Sequence, residues 1–500
     1  MSAPIESPYV ESPSAESVDV AIVGGGISGL ATAHRLRELA PQLSVVVLES
    51  RNRLGGVLET VREAGFLLEG GPDNFITNVP WAVDLCRRIG FAEQLITTNP
   101  DQRNAFVVRR GKLEKIPPGF VVMAPSRLWP LVSTPILSPW GKLRMAGEYI
   151  VPARRDAGDE SLAAFVRRRF GREVYDRLVQ PLVGGIYTGD PEQLSLQATL
   201  PRFQEMERKH GGLIRGMRKS SHGGNPTNYQ RNDTTPPNKT QDSGGRYSLF
   251  VAPRDGATSL VDAIAGRLEP HTIRLNSPVA NVSHLPSGGW AIDLADKDTR
   301  QIRSQHLVLA TPARLTASLL KPTLPRLAND LEKIQYSGCT LVSLGYRRQD
   351  ISHPLDGFGF VVPFIERRQI LSASFSSVKY AGRAPDACVL LRAYVGGALQ
   401  PELAELPDDQ IIELTRRELS ALLGISGSPV ITHIHRRPQS MPQYYVGHNN
   451  LVDSIFQQTN SLQGLHLVGN SFRGVGIPYC VRDGEATAQQ IVDTTTIRTQ

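Results

Sequence analysis

"VAIVGGGISGLATAHRL", residues 20–36, runs from four apolar residues through three glycines to a fourth, and then into a helical pattern. Residues 18–23 read as a buried strand and 27–39 as a helix. Residues 43–48, "LSVVVL", read as a second buried strand. Continuous apolar runs of this kind belong in a parallel sheet covered on both faces. The unit is βαβ and the fold class is α/β. The spacing Gly24-x-Gly26-x-x-Gly29 is weak by itself, but here it follows a strand and opens a helix. Gly24 suits a tight turn, Gly26 lets main chain approach a pyrophosphate, and Gly29 permits close helix–strand packing. The helix N-terminus then offers N–H groups and a positive dipole end to phosphates.

The residues downstream define the ligand further. Glu49 ends the second strand, twenty residues after Gly29, where its carboxylate accepts from ribose hydroxyls and repels a phosphorylated ribose. In "ESRNRLGG", residues 49–56, Arg53 suits a second phosphate contact. The pair Gly55–Gly56 lets main chain lie close to a ribityl chain. A second glycine pair, Gly70–Gly71, follows in "LLEGGPDNF", residues 67–75. Together they imply a cofactor longer than one βαβ unit covers.

Five hundred residues allow two to four domains, or two large interleaved ones. Hydrophobic residues at 40% and charged residues at 21% are ordinary for a soluble enzyme. A net charge of +7 suits anionic lipid or a carboxylated substrate, or is a plain solubility charge. No dense Lys/Arg block points to nucleic acid. Cys86, Cys339, Cys388 and Cys480 lie far apart without a CxxC, which fits reduced thiols in a cytoplasmic protein. Residues 1–17, rich in Ser, Pro and Glu, read as a disordered leader rather than a signal peptide. No run of 18 apolar residues occurs. Residues 120–150 are apolar, broken by prolines and dotted with Arg and Lys. Short helices carrying Trp129 and Trp140 there fit either a lipid interface or an ordinary helical subdomain. Residues 217–247 are polar and rich in Gly, Pro, Asn and Thr, and read as a disordered insertion. The alternating stretches 271–295 and 339–347 read as antiparallel strands. Residues 464–469 read as another buried strand, with a helix at about 483–493. His433 and His435 alternate as in a strand and read as structural; no metal site is expected.

The pieces "GGGISGL", "ESRNRLGG" and "EGGPDNF" resemble the FAD-dependent amine-oxidase superfamily. "PLVGGIYTGDPEQLSL" (181–196), "LDGFGFVVP" (355–363) and "GNSFRGVGIPYCVRDGE" (469–485) resemble its protoporphyrinogen and coproporphyrinogen III oxidase family. The resemblance covers nearly the whole chain outside 1–17 and 217–247. It implies a Rossmann-type FAD-binding domain over 18–75, 250–300 and 450–500. This is interleaved with a mixed α+β substrate domain over 76–90, 200–216 and 301–449. A mainly helical, membrane-contacting subdomain would span 91–199. FAD would be held noncovalently by three segments. The first is Gly24, Gly25, Gly26, Ile27, Ser28 and Gly29, then Glu49, Ser50, Arg53, Gly55, Gly56 and Val57, then Gly71 and Pro72. The second is Val279 in "NSPVANV". The third is Asn470, Val475, Gly476 and Ile477, with a helix N-terminus near Asp483.

The activity implied is removal of six electrons and six protons from a porphyrinogen in heme biosynthesis. Three flavin cycles are needed, with oxygen as acceptor. Phe375 and Val362 would form apolar walls and Gly185 would allow close backbone approach. An arginine that many members carry before the strand reads here as Ala105. Arg103 or Arg109, sharing one strand face, would take over the propionates in preference to Arg110. No catalytic base is named. The residues leave open another flavin amine oxidase or carotenoid desaturase, and a flavoprotein that only binds tetrapyrrole. Contact with a membrane surface and a homodimer are left open as well.

Overall fold

The computed structural model describes residues 16–125, 129–154, 156, 158–222, 250–295 and 301–499. The glycine-rich stretch forms strand β1 (Glu16–Val23), helix α1 (Ile27–Leu39) and strand β2 (Val45–Leu48). β1 and β2 run parallel, with Val20 opposite Val45. On its other edge β1 pairs in parallel with Ile302–Leu309. Ile273–Arg274 and Leu465–Leu467 add further parallel strands. The antiparallel pair Val279–His284 and Trp290–Leu294 completes a seven-stranded sheet. Alternation along β1 sorts its side chains between two buried layers. Val20 and Ile22 pack under α1 with Leu36. Ala21 and Val23 pack on the opposite face with Leu320 and Ile455. Both faces are covered, which is why the strands read as unbroken apolar runs.

A second seven-stranded sheet is built from strands within residues 106–115, 336–396 and 431–442. From one edge it runs through Lys112–Lys115, β3 (Phe106–Arg109), β4 (Gly359–Val361), β5 (Ser372–Phe375) and β6 (Cys388–Gly396). It ends with Tyr336–Arg347 and Ile431–Pro442. On one face, Phe106, Val108, Phe360, Ala373 and Leu391 pack against the helix Asp408–Leu423. The alternate residues Val107 and Val361 turn to the other face. There they meet helix α2 (Gln180–Tyr187) and the helical region of residues 129–217. Helix α3 (Ile477–Thr499) returns to the first sheet and crosses α1 closely. A Cβ on Gly484 would stand 2.6 Å from the Ser28 carbonyl oxygen.

Several expected bounds shift. Glu16 and Ser17 pair with Ile302 and Arg303, so the strand begins inside the expected leader; residues 1–15 lie outside the described ones. Residues 302–309 belong to the cofactor sheet rather than the substrate domain, because β1 needs a parallel neighbour on its second edge. The helix Trp81–Arg88 packs through Leu85 and Cys86 on the layer containing Leu30 and Ala31 of α1. Residues 106–115 form two strands of the second seven-stranded sheet rather than part of the helical subdomain. Residues 217–222 continue the helix Leu213–His222, and 223–249 lie outside the described residues. α3 starts at Ile477, six residues before the expected start near Asp483. Among the described residues, no helix is long and apolar enough to cross a membrane.

Candidate functional site

The site starts at the tip of β1. Gly24 has φ +110°, a conformation open to glycine, and a Cβ there would stand 2.8 Å from the Ala310 carbonyl oxygen. A Cβ on Gly29 would stand 2.1 Å from the Gly24 carbonyl oxygen, so this glycine lets the helix close on the strand. Gly26 differs, because a Cβ there would meet nothing within 4 Å. Open space lies over the start of α1. Its first turn has no side-chain cap and no acid, which leaves the positive end of the helix for an anion. Gly55 and Gly56, at φ +95° and +62°, bring a second loop beside the turn. Gly26 and Gly55 form a parallel bridge, and the Gly55 N–H donates to the Gly25 carbonyl at 2.8 Å.

Glu49 is buried at the end of β2. Its Oε2 accepts the Gly25 N–H at 2.9 Å and its Oε1 accepts the Arg51 N–H at 2.9 Å. The carboxylate thus frames the glycine loop. The Glu49 carbonyl accepts the Ser277 N–H at 2.9 Å, which brings the segment of Val279 to the same end of the sheet. Arg53 is placed differently from its expected role as a free phosphate contact. Its guanidinium donates to the carbonyls of Leu54, Leu58 and Gly56 at 3.1, 3.3 and 3.0 Å. It also pairs with Glu59 at 3.0 Å. The chain around Gly55 and Gly56 curls, and its inward carbonyls need that donor.

The loop of Gly71 and Pro72 is fixed from the second sheet. Arg392 on β6 donates to the carbonyls of Glu69 and Gly71 at 3.2 and 3.1 Å. Arg437 donates to the Gly70 carbonyl at 2.6 Å and pairs with Glu59. Arg392 and Lys379 stand 3.3 and 3.5 Å from Asp73. Burial alone would raise the Asp73 carboxyl, but Lys379, Arg392 and Arg383 outweigh it and hold it at about 2. Glu69, nearby, is pushed up to about 7 by burial, against the hydrogen bond from Thr60 and the charges of Arg392 and Arg383.

The third segment is the turn before α3. Gly476 precedes Ile477, whose helix begins beside Ile27 and Leu30 in one core. Val475 packs instead on the core that contains Val183 of α2 and Val361 of β4. The turn thus spans both halves of the molecule. Asn470 lies where Tyr444 Oη donates to its carbonyl at 2.6 Å. Asp483 pairs with Arg482 inside α3 rather than at its start, and burial pushes its carboxyl up.

The expected substrate residues divide. A Cβ on Gly185 of α2 would lie 3.3 Å from Val361, so this glycine packs α2 closely against the sheet. Val362 and Phe375 are buried in the opposite core, where Phe375 lies beside Phe360 and His353. Alternation puts Val361 rather than Val362 on the α2 side. Arg109 ends β3 on the Val107 face. Arg103 precedes that strand instead of belonging to it, which corrects the shared-face expectation. Arg110 occupies the following turn at φ +50°, with its N–H on Glu366 at 2.9 Å. The His433 and His435 rings lie 4.4 Å apart and tilted by 44°, and no metal-ligand cluster occurs among the described residues.

The three segments together make a cradle for a long dinucleotide. Open space over Gly26, the bare helix start and the buried Glu49 all fit FAD. The model of the flavin containing amine oxidoreductase family matches residues 27–492. The chain belongs to this family. It is 32% identical over 473 residues to coproporphyrinogen III oxidase of Bacillus subtilis, covering 93% of this chain and 96% of that protein. It is 30% identical over 489 residues to chloroplastic protoporphyrinogen oxidase 1 of Arabidopsis thaliana, covering 95% and 88%. A crystal structure provisionally assigned as a protoporphyrinogen oxidase of Exiguobacterium superposes with TM-score 0.81 at 28% identity. The match covers 96% of this chain and 99% of that one. The protein is an FAD-dependent oxidase with the α/β fold of this family.

Membership also shows what sequence reasoning missed. Arg392, Arg437 and Tyr444 hold the cradle loops from strands and segments more than 300 residues away from Gly71, or 26 from Asn470. Only the fold brings them there, and no local spacing marks them.

Proposed function

We propose that this protein oxidises a porphyrinogen to the porphyrin, with coproporphyrinogen III as the preferred substrate over protoporphyrinogen IX. The observation that carries the reading is the likeness over nearly the full chain to coproporphyrinogen III oxidases, joined to a cradle whose third segment packs on α2 and β4. Bound FAD supplies a two-electron oxidation, so three turns with oxygen as acceptor remove the six electrons and six protons. The chain's own residues supply position. Gly24 to Gly29, Glu49, Ser50, Gly55 to Val57, Gly71, Pro72, Val279, Asn470 and Val475 to Ile477 hold the cofactor. Arg53 keeps its loop curled. Val361 and the backbone at Gly185 border the space for a flat apolar ring. Arg109 and Arg103 meet its carboxylates.

The test is a side-by-side assay of the purified flavoprotein on the two porphyrinogens, read as porphyrin fluorescence. A higher kcat/KM on coproporphyrinogen III is expected. Turnover of an amine with no turnover of either porphyrinogen would overturn the reading.

The helical region also suits a membrane surface. Trp129, Val132, Trp140, Leu143 and Ile150 are exposed, the two tryptophans at 81% and 79%. Lys142 Nζ donates to the Val132 carbonyl at 2.7 Å, joining two of the short helices that carry them. Exposed indoles beside cations fit lipid headgroups. Flotation with phosphatidylglycerol vesicles should be lost when Trp129 and Trp140 are both replaced by Ser. Unchanged flotation would remove this part of the proposal.

A further inference from the structure

The turn 470–476 is held by a buried segment that the cradle itself does not contain. Tyr444 is 3% exposed and His448 is 4% exposed. Tyr444 Oη donates to the Asn470 carbonyl at 2.6 Å and accepts the Gly474 N–H at 2.9 Å. His448 Nε2 donates to the Phe472 carbonyl at 2.8 Å. The two rings stack, with centroids 4.0 Å apart and planes 16° from parallel. Three successive alternate positions of one turn are therefore bonded to a single stacked pair.

The same segment is tied to the substrate side. The Tyr444 carbonyl accepts the Ser195 N–H at 2.8 Å. Gln443 Nε2 donates to the Tyr187 carbonyl at 3.1 Å and to Ser337 Oγ at 2.7 Å. The Val446 N–H donates to the Gln193 carbonyl at 2.9 Å, and the Gly447 N–H donates to Asp159 Oδ2 at 3.0 Å. Tyr187 ends α2, the helix that meets Val361 through Gly185. A continuous set of hydrogen bonds thus runs from α2 through residues 443–448 to the turn before α3.

We propose that Tyr444 and His448 are positioning residues, a strut that sets the cofactor-bearing turn 470–476 relative to α2. The need for such a strut is physical. Gly469 and Gly474 have φ +130° and +140°, and Gly476 is a further glycine in the turn, so the turn has little conformational preference of its own. Its carbonyls at 470 and 472 and its N–H at 474 need partners, and only the strut supplies them with buried, rotamer-locked rings. Neither residue touches the space over Gly26, so their effect on the cofactor is exerted through the turn. The inference rests on the assignment of FAD to this cradle and is independent of which porphyrinogen is oxidised.

The test uses full-length protein stripped of flavin and retitrated with FAD, with no porphyrinogen present. Tyr444→Phe keeps the ring stack and removes both hydroxyl hydrogen bonds. His448→Phe keeps a stacked ring and removes the bond to Phe472. Each should raise the FAD dissociation constant about ten-fold, the size expected for one or two lost hydrogen bonds. Each should also narrow the gap in melting temperature between the flavin-loaded and flavin-free protein, because weaker binding stabilises less. A purely structural role would lower both melting temperatures together and leave the dissociation constant unchanged, and that result overturns the proposal. If Tyr444→Phe is insoluble, His448→Phe decides alone. If the unmodified apoprotein takes up no FAD, the cofactor assignment fails rather than the strut.

Discussion

Glu49 Oε2 accepts the Gly25 N–H at 2.9 Å, joining the end of β2 to the glycine turn at the end of β1. The carboxylate therefore has two tasks, shaping the turn and receiving ribose. Glu49→Ala removes both. It should weaken FAD binding by about 1–3 kcal/mol, the range for a lost hydrogen bond to a charged group. Titration of the apoprotein with FAD measures this. A dissociation constant equal to the parent's would show that Glu49 serves the turn alone.

The two glycines that flank α1's first turn should respond in opposite ways to the same change. A Cβ on Gly26 meets no protein atom within 4 Å, and its φ of −76° is open to any residue. Gly26→Val should cost the apoprotein about 1 kcal/mol or less, the scale of an N-cap change, while abolishing FAD binding. At Gly29 the Cβ falls 2.1 Å from the Gly24 carbonyl oxygen. Gly29→Val should cost more than about 4 kcal/mol, as overpacking against fixed backbone does. Thermal melts of the two apoproteins and their flavin content test the pair. Equal FAD occupancy in Gly26→Val and the parent would contradict the pyrophosphate path.

The contrast explains why this part of the fold was legible in the sequence. β1, α1 and β2 are local and the glycine spacing shows in one short stretch, although the contact that requires Gly24 is with Ala310, far along the chain. The sheet behind them was not legible in full. Ile302–Leu309 pairs with β1 across some 280 residues, and its apolar pattern does not say which sheet receives it. Which core receives Val362 and Phe375, the expected walls, was not legible for a similar reason. A strand's alternation gives two faces, and both are covered here, one by Asp408–Leu423 and the other by α2, so the pattern does not say which core a residue joins. The length of α3 was underestimated because its first turn, with Pro478 at the second position, reads as a loop motif.

Glu69 gives a pH dependence of defined sign. Burial lifts its carboxyl from 4.5 to about 7 in the folded protein, where Oε1 accepts the Ala257 N–H and Oε2 accepts from Thr60. A raised carboxyl favours the protonated form in the fold. Its stabilisation is complete below 4.5 and is lost as pH rises through about 7. The loss should total on the order of 3 kcal/mol. Asp73, held near 2, acts in the other direction and at much lower pH, so the two windows do not overlap. Apoprotein melting temperatures between pH 4.5 and 8 should fall more steeply in the parent than in Glu69→Gln, which cannot ionise. Parallel curves would show that Glu69 is not the titrating group.

The last prediction concerns the carboxylate anchor. Position 105 is an alanine, so on the proposed function the charge would come from a neighbouring arginine. Arg109 shares the Val107 face of β3, and Val107 packs in the core that also receives Val361 and α2. Arg103 lies three residues before that strand, so the strand itself does not aim it. Arg110 sits in the turn after β3, and its backbone N–H is held by Glu366 at 2.9 Å. A guanidinium meeting a propionate forms a charge-assisted hydrogen bond. Arg109→Ala should therefore lower kcat/KM by roughly 10- to 100-fold, chiefly on the more carboxylated porphyrinogen. Arg103→Ala should show a smaller loss of the same kind, and Arg110→Ala should match the parent. FAD content, measured on each variant, separates a lost anchor from a damaged fold. Parent-like kinetics in both Arg103→Ala and Arg109→Ala would move the anchor off this segment altogether.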